Sequence, residues 1–205
     1  MRAGVIRIVV AEDQALVLGA IAALLDLEPD MAVVGRAANG AEAVERVRAL
    51  SPDILLTDIE MPAMTGIDAA RLLSQAGTAT RTVIVTTFAR PGYLARARAA
   101  GVRGYLLKDS PVEELAAAIR EVARGGVVVP ADLAAAAWDA GADPLTERER
   151  DTLRLADEGL SNKAIALRLA LSPGTVRNYL SEAAGKLGAS GRVEAGRIAR
   201  MNGWL

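Results

Sequence analysis

Glu12-Asp13, Asp58, Thr86 and Lys108 sit at the ends of short apolar runs in a chain of 205 residues. Their types suggest one kind of chemistry. Three carboxylates brought together repel one another and raise their own pKa values unless a cation joins them. Hard oxygen ligands around a small gap favour Mg²⁺, which keeps several waters and readily takes a phosphate oxygen. A lysine and a hydroxyl alongside complete a site able to accept a phosphoryl group on one carboxylate. The chain has no histidine and no cysteine, which removes Ser-His-Asp triads, imidazole ligands, thiolates and Cys-held zinc. Any reaction must use carboxylates, lysine and hydroxyls. A plainer reading stays open for Asp13, because strand-end aspartates often only cap the following helix.

These residues need a scaffold that brings strand ends together. Apolar runs at Val5–Val10, Ala32–Gly35, Ile54–Thr57, Thr82–Thr86 and Gly104–Leu107 end abruptly at polar residues, as expected of strands buried on both faces. Helical windows lie near 14–27, 40–50, 66–75, 91–100 and 112–124. In the first, Val17, Ile21, Leu24 and Leu25 form a predicted core stripe. Strict alternation predicts an α/β, doubly wound, five-stranded parallel sheet, with its ligand site beyond the carboxyl ends of the strands. In the order 2-1-3-4-5, the first and third strands are neighbours and Glu12, Asp13 and Asp58 converge.

Residues 125–144 break the pattern with Gly125-Gly126, Pro130, Gly141 and Pro144. They read as a linker with one short helix near Ala131–Trp138, between units at 1–124 and 145–205. Apolar residues make up 52% of the chain and aromatics 3%, so the cores must be aliphatic and alanine-rich. Runs such as Ile54–Leu56 and Val127–Val129 are far too short to span a membrane. The N-terminus lacks the layout of a secretory signal, so a soluble cytoplasmic protein is expected. Residues 1–144 carry 14 basic and 18 acidic side chains, and residues 145–205 carry 10 and 7. An acidic front and a mildly basic back suit a phosphoryl-accepting half and a DNA-touching half.

From Leu145 the periodicity is helical throughout. Thr146 and Glu149 have capping-box spacing, Gly159 ends that helix, and Ser161 caps the next. Ser172-Pro173 is an N-cap followed by proline at the first helical position. The helix it opens turns Val176, Leu180, Ala184 and Leu187 inward, which leaves Arg177, Asn178 and Ser181 together outside. Arginine and asparagine suit guanine and adenine edges in the major groove, and Lys163 and Lys186 are placed to reach phosphates. A merely solvated face would carry the same residues.

The first half resembles the receiver domain of two-component response regulators over residues 5–124. Ala11-Glu12-Asp13-Gln14, Asp58-Ile59-Glu60-Met61-Pro62, Thr65-Gly66, Val85-Thr86-Thr87 and Gly104-Tyr105-Leu106-Leu107-Lys108 carry the likeness. The resemblance implies a flavodoxin-like fold with Asp58 as phosphoacceptor. Glu12 and Asp13 would be the acidic pair at Mg²⁺, joined by Asp58 and the Glu60 backbone carbonyl. Lys108 would bind the acyl phosphate, and Thr86 and Tyr105 would turn inward with it. Glu12 stands where many receivers have aspartate, and Asp109 replaces the proline common after the lysine.

The second half resembles the LuxR-type helix-turn-helix of the NarL/FixJ class. Leu145-Thr146-Glu147-Arg148-Glu149, Gly159-Leu160-Ser161-Asn162-Lys163, Ser172-Pro173-Gly174-Thr175-Val176-Arg177 and Lys186-Leu187-Gly188 match it. Thr175 and Lys186 would then touch phosphates, and Arg177 and Asn178 would approach bases. Tyr179 replaces the histidine of most relatives. Together with the string Thr86–Tyr93, this makes the chain most like the DesR branch. The resemblance implies a sensor histidine kinase as phosphodonor, a homodimer on phosphorylation and double-stranded DNA as target, with no membrane partner. It implies no enzyme in the usual sense, although the receiver would catalyse its own phosphotransfer and dephosphorylation. Leu16, Leu27, Leu115 and Ile119 are candidates for a dimer face, with ordinary core packing an equal alternative for each. A phosphatase built on similar carboxylates would not need residues 145–205.

Overall fold

Five short strands run parallel in the order β2-β1-β3-β4-β5: β1 (Ile6–Ala11), β2 (Met31–Ala37), β3 (Ile54–Thr57), β4 (Arg81–Thr86) and β5 (Gly104–Leu107). The structure, a computed structural model, describes residues 4–87, 91–131, 134 and 143–205. Residues of the expected linker helix other than 131 and 134 lie outside that range, as does part of the Thr86–Tyr93 string. Between the strands run α1 (Ala15–Asp26), α2 (Gly40–Leu50), α3 (Gly66–Gln75) and α4 (Pro91–Ala99), with α5 (Val112–Ala123) last.

The strands' continuous apolar runs have a direct cause. Successive side chains point to opposite faces of a sheet, and both faces are covered. Ile8, Val10, Leu56 and Val83 pack on one side with Leu25 of α1 and Ile119 of α5. Val9, Ala11 and Leu55 pack on the other with Val44 of α2 and Leu73 of α3. The pairing Ala11↔Thr57 aligns the ends of β1 and β3, so the residues that follow them emerge side by side. Beyond α5 the chain returns to the sheet. Tyr105 N–H donates to the Val128 carbonyl and Val128 N–H to that of Arg103, both at 2.9 Å. The first residues of the expected linker therefore cover the open edge of β5, where unpaired backbone groups would otherwise face water.

Two apolar assignments differ from expectation. Leu24 was placed in the core stripe of α1, yet it is 42% exposed while Leu25 is fully buried. α1 is apolar around its whole circumference, so periodicity alone does not select the side that meets the sheet. Leu115 and Ile119, candidates for a dimer face, are core residues at 8% and 0% exposure. Leu16 and Leu27 are exposed, at 87% and 80%.

The chain divides into two compact units. The second is wholly helical: α6 (Glu147–Asp157), α7 (Asn162–Leu169), α8 (Pro173–Lys186) and α9 (Arg192–Met201). Its core is built from Leu153, Ile165, Val176, Leu180, Ala195 and Ala199. The predicted caps are present: the Thr146–Glu149 capping box, and Ser161 and Ser172 accepting N–H groups of Ala164 and Thr175. Gly159 takes a positive φ of 89° after α6, a conformation glycine adopts without steric cost.

Candidate phosphoacceptor site and nucleic-acid interface

At the carboxyl ends of β1 and β3, Glu12, Asp13 and Asp58 each bring one carboxylate oxygen within 4.8 Å of the others. Glu12 and Asp58 are buried and Asp13 is exposed. Lys108 follows β5, and its Nζ lies 2.6 Å from Glu12 Oε2 and 2.8 Å from Asp58 Oδ2. The second Asp58 oxygen, Oδ1, accepts Ile59 N–H at 2.6 Å. Glu12 Oε1 accepts Gln14 N–H at 3.2 Å. Thr86 and Tyr105 are both fully enclosed, so Tyr105 already points inward. Glu60 is exposed on the β3–α3 loop.

Burial raises the Glu12 carboxyl above its ordinary pKa despite its hydrogen bonds to Lys108 and Gln14. Burial also disfavours the Lys108 ammonium, yet hydrogen bonds to Asp58 and Glu12 outweigh it and raise that pKa. One cation thus serves two enclosed carboxylates. The helix-capping alternative for Asp13 finds no support in the geometry. The N-cap of α1 is Gln14, and no side chain caps that helix. The donor set of three carboxylate oxygens, one open to solvent, fits a hard divalent cation.

Gly66 is a site residue that sequence reasoning recorded only as part of a motif. Its N–H donates to the Ile59 carbonyl at 3.0 Å. A Cβ at Gly66 would run into the Asp58 carbonyl oxygen and lie 2.7 Å from Thr57 Oγ1. The start of α3 is therefore pressed against the backbone of Asp58. Thr57 Oγ1 donates to the same Asp58 carbonyl at 2.9 Å. Between Asp58 and Gly66, Ala63 takes a positive φ of 64°, a strained conformation for a residue with a Cβ.

In the helical unit, Arg177, Asn178 and Ser181 are exposed together on α8, above buried Val176, Leu180 and Ala184. Leu187 packs partly buried against the same core. Lys163 is exposed in the first turn of α7. Thr175 is half-buried, its hydroxyl 2.9 Å from that of Ser172. Lys186 has a protein partner: its Nζ lies 2.7 Å from Glu149 Oε2. Asn162 and Arg192, in hydrogen-bond contact at 3.4 Å, line a cavity with Arg177 and Ser181. That neighbourhood depends on how α7 and α9 pack beside α8, which local pattern does not encode. At the entrance to the unit, Asp143 Oδ1 accepts Leu145 N–H at 2.9 Å and Asp143 Oδ2 pairs with Arg150.

A family model for the response regulator receiver domain matches residues 8–120, and a model for bacterial regulatory proteins of the luxR family matches residues 143–199. The chain is a two-component response regulator. Over 98% of its length the regulator is 48% identical to the transcriptional regulatory protein YvfU of Bacillus subtilis, covering all of that protein. It is 47% identical to the transcriptional regulatory protein DesR of the same organism, over 98% of this chain and 99% of that one. The solved structure of the response regulator ChrA, from a heme-sensing two-component system, matches with a TM-score of 0.58. Identity there is 31%, over 98% of this chain and 100% of that chain. The regulator thus joins a receiver to a LuxR-type DNA-binding domain, as the motifs implied, and its work is transcriptional. Among the described residues, no helix is long and apolar enough to cross a membrane.

Proposed function

We propose that phosphorylation of Asp58 by a partner histidine kinase promotes dimerisation of this regulator and sequence-specific binding of its α8 to DNA. The observation that carries the reading is the placement of Asp58: buried, beside Glu12 and Asp13, with Lys108 within hydrogen-bond reach. Glu12, Asp13, Asp58 and the Glu60 carbonyl would hold Mg²⁺, which when bound neutralises carboxylate and phosphoryl charge. An Asp58 carboxylate oxygen attacks the donor phosphorus, the phosphorus–nitrogen bond to the kinase histidine breaks, and an acyl phosphate forms. Ile59 N–H holds one Asp58 oxygen in place. Lys108 shifts from carboxylate to phosphoryl oxygen, keeping its charge matched. The same residues would serve hydrolysis of the acyl phosphate by water. Thr86 and Tyr105 relay the change, their enclosure leaving few arrangements open to them.

Leu16 on α1 and Leu27 just after it, both exposed, belong to the dimer surface in this reading, where a second copy would remove them from water. Two α8 helices then meet half-sites about one helical turn apart. Arg177, Asn178 and Ser181 read bases, while Lys163 and Thr175 hold phosphates. DNA as the target implies action in the cytoplasm.

Labelling with acetyl phosphate and Mg²⁺, followed by sedimentation, tests the proposal. Wild-type protein gains one phosphoryl group and shifts to dimer, and Asp58→Asn does neither. Labelling that survives in Asp58→Asn, or dimerisation indifferent to it, overturns the reading.

A further inference from the structure

The Lys186 amine is already paired. Glu149 Oε2 takes it at 2.7 Å, and the Glu149 side chain is only 3% exposed. The same oxygen accepts Thr146 N–H at 2.7 Å, and Glu149 N–H donates back to Thr146 Oγ1 at 3.3 Å. One buried oxygen therefore joins the first turn of α6 to the last residue of α8. Lys163 and Arg177 form no ion pair among the described residues.

The consequences for DNA contact are physical. Moving Lys186 onto a phosphate would strip a deeply buried carboxylate of its cation, which is strongly unfavourable. A cation already matched by a carboxylate also adds little net charge to the surface, so it displaces few counterions from DNA. Base readout has a different requirement. Donors and acceptors must be held within about 0.5 Å of their productive positions by supporting contacts. α8 carries Arg177 and Asn178 in its first half and Lys186 at its C-terminal end, so a tie at Lys186 fixes the direction of the helix that presents them.

We propose that Lys186 is a positioning residue: its ion pair with Glu149 sets the angle at which α8 presents Arg177 and Asn178, and Lys186 is not a phosphate contact. The proposal rests on α8 being the DNA-reading helix.

The test uses the full chain treated with acetyl phosphate and Mg²⁺, a duplex that the treated wild-type protein enriches from a random pool, and a scrambled duplex of equal length. Affinities are measured over a series of potassium chloride concentrations. For Lys186→Met, affinity for the enriched duplex falls about tenfold and that for the scrambled duplex hardly changes. The slope of log affinity against log salt is unaltered. Glu149→Gln reproduces the loss of discrimination, the double variant is no worse than either single one, and Lys186→Arg restores it. A pair that only held the fold together would lower the melting temperature without changing discrimination by the folded protein. A salt slope shallower by about 0.9, with both duplexes weakened alike, marks a phosphate contact and overturns the proposal. Unchanged discrimination overturns it too. If Lys186→Met does not fold, Lys186→Gln, which keeps a donor near Glu149, gives the same slope reading. A wild-type chain that enriches no duplex removes the premise about α8, an outcome distinct from a changed slope.

Discussion

At the carboxyl ends of the strands, Glu12 and Asp58 are buried and share the single ammonium of Lys108. On α8, Arg177 and Asn178 stand exposed above an apolar face. The receiver site encloses two carboxylates against one ammonium, so a change of partner there alters what is packed around it. The helical unit leaves Arg177, Asn178 and Ser181 open to solvent, so in the proposed reading an external polyanion reaches them without disturbing the core. Only one cation of the helical unit's predicted DNA-contact set is treated as the receiver treats Lys108. That cation is Lys186, bound to a buried carboxylate. Internal pairing at Lys108 and Lys186 joins residues far apart in the sequence, whereas Lys163 and Arg177 form no ion pair among the described residues.

The sharpest way to break this comparison is to disturb the receiver where backbone meets backbone. In Gly66→Ala the new methyl meets the Asp58 carbonyl and Thr57 Oγ1. A neighbouring backbone cannot rotate away as a side-chain tip can. The variant should lose about 3 kcal/mol of stability or more, at the upper end of overpacking effects, as read by urea unfolding of the receiver signals. A loss below about 0.5 kcal/mol would show that the start of α3 is not fixed against Asp58.

Lys108→Met is the next largest. It leaves two enclosed carboxylates without their cation, a change that costs about 3 kcal/mol for a buried pair. Divalent cation should restore much of that loss by taking over the neutralising role. Melting temperatures with EDTA and with Mg²⁺ check this, and the gain from Mg²⁺ should be larger for the variant than for wild type. An equal gain would mean that cation and lysine do not answer to the same carboxylates.

How far sequence alone reaches differs between the regions for the same reason. The receiver site is assembled at strand ends, and strand ends are visible as apolar runs stopping at Glu12, Asp58, Thr86 and Lys108. Parallel order then brings them together without knowledge of any side-chain contact. The role of Gly66 was not legible, because a close backbone approach leaves no periodicity. Leu24 was misjudged, and Leu115 stood open between dimer face and core, because apolar residues on a helix carry no mark of which side is covered. In the helical unit the caps were readable from Thr146, Ser161 and Ser172, since capping is local. The Lys186–Glu149 pair spans 37 residues and needed the fold to be found.

The exposed side of the comparison is sharpened by Arg177→Ala. Removing one base-reading side chain should weaken specific binding by about 2 kcal/mol and relax discrimination at one base pair, with the fold unaffected. Competition binding against a panel of single-base operator variants reads both. A uniform loss across the panel would make Arg177 a phosphate contact instead.

The smallest effect concerns pH. Burial alone would raise the Glu149 carboxyl, but hydrogen bonds from Lys186 and Thr146 outweigh it and hold its pKa below the ordinary 4.5. As pH falls through 4.5 the unfolded chain takes up this proton first, so the folded state loses relative stability. The stabilisation is complete above 4.5 and disappears as pH falls towards the depressed folded value. Trp204 packs against the helical core, so its fluorescence in a Trp138→Phe background follows this unit alone. Melting followed this way should show wild type losing more stability than Glu149→Gln between pH 5 and pH 3. Parallel pH profiles would mean that Glu149 carries no special tie, and Lys186 would then belong with the exposed cations rather than with Lys108.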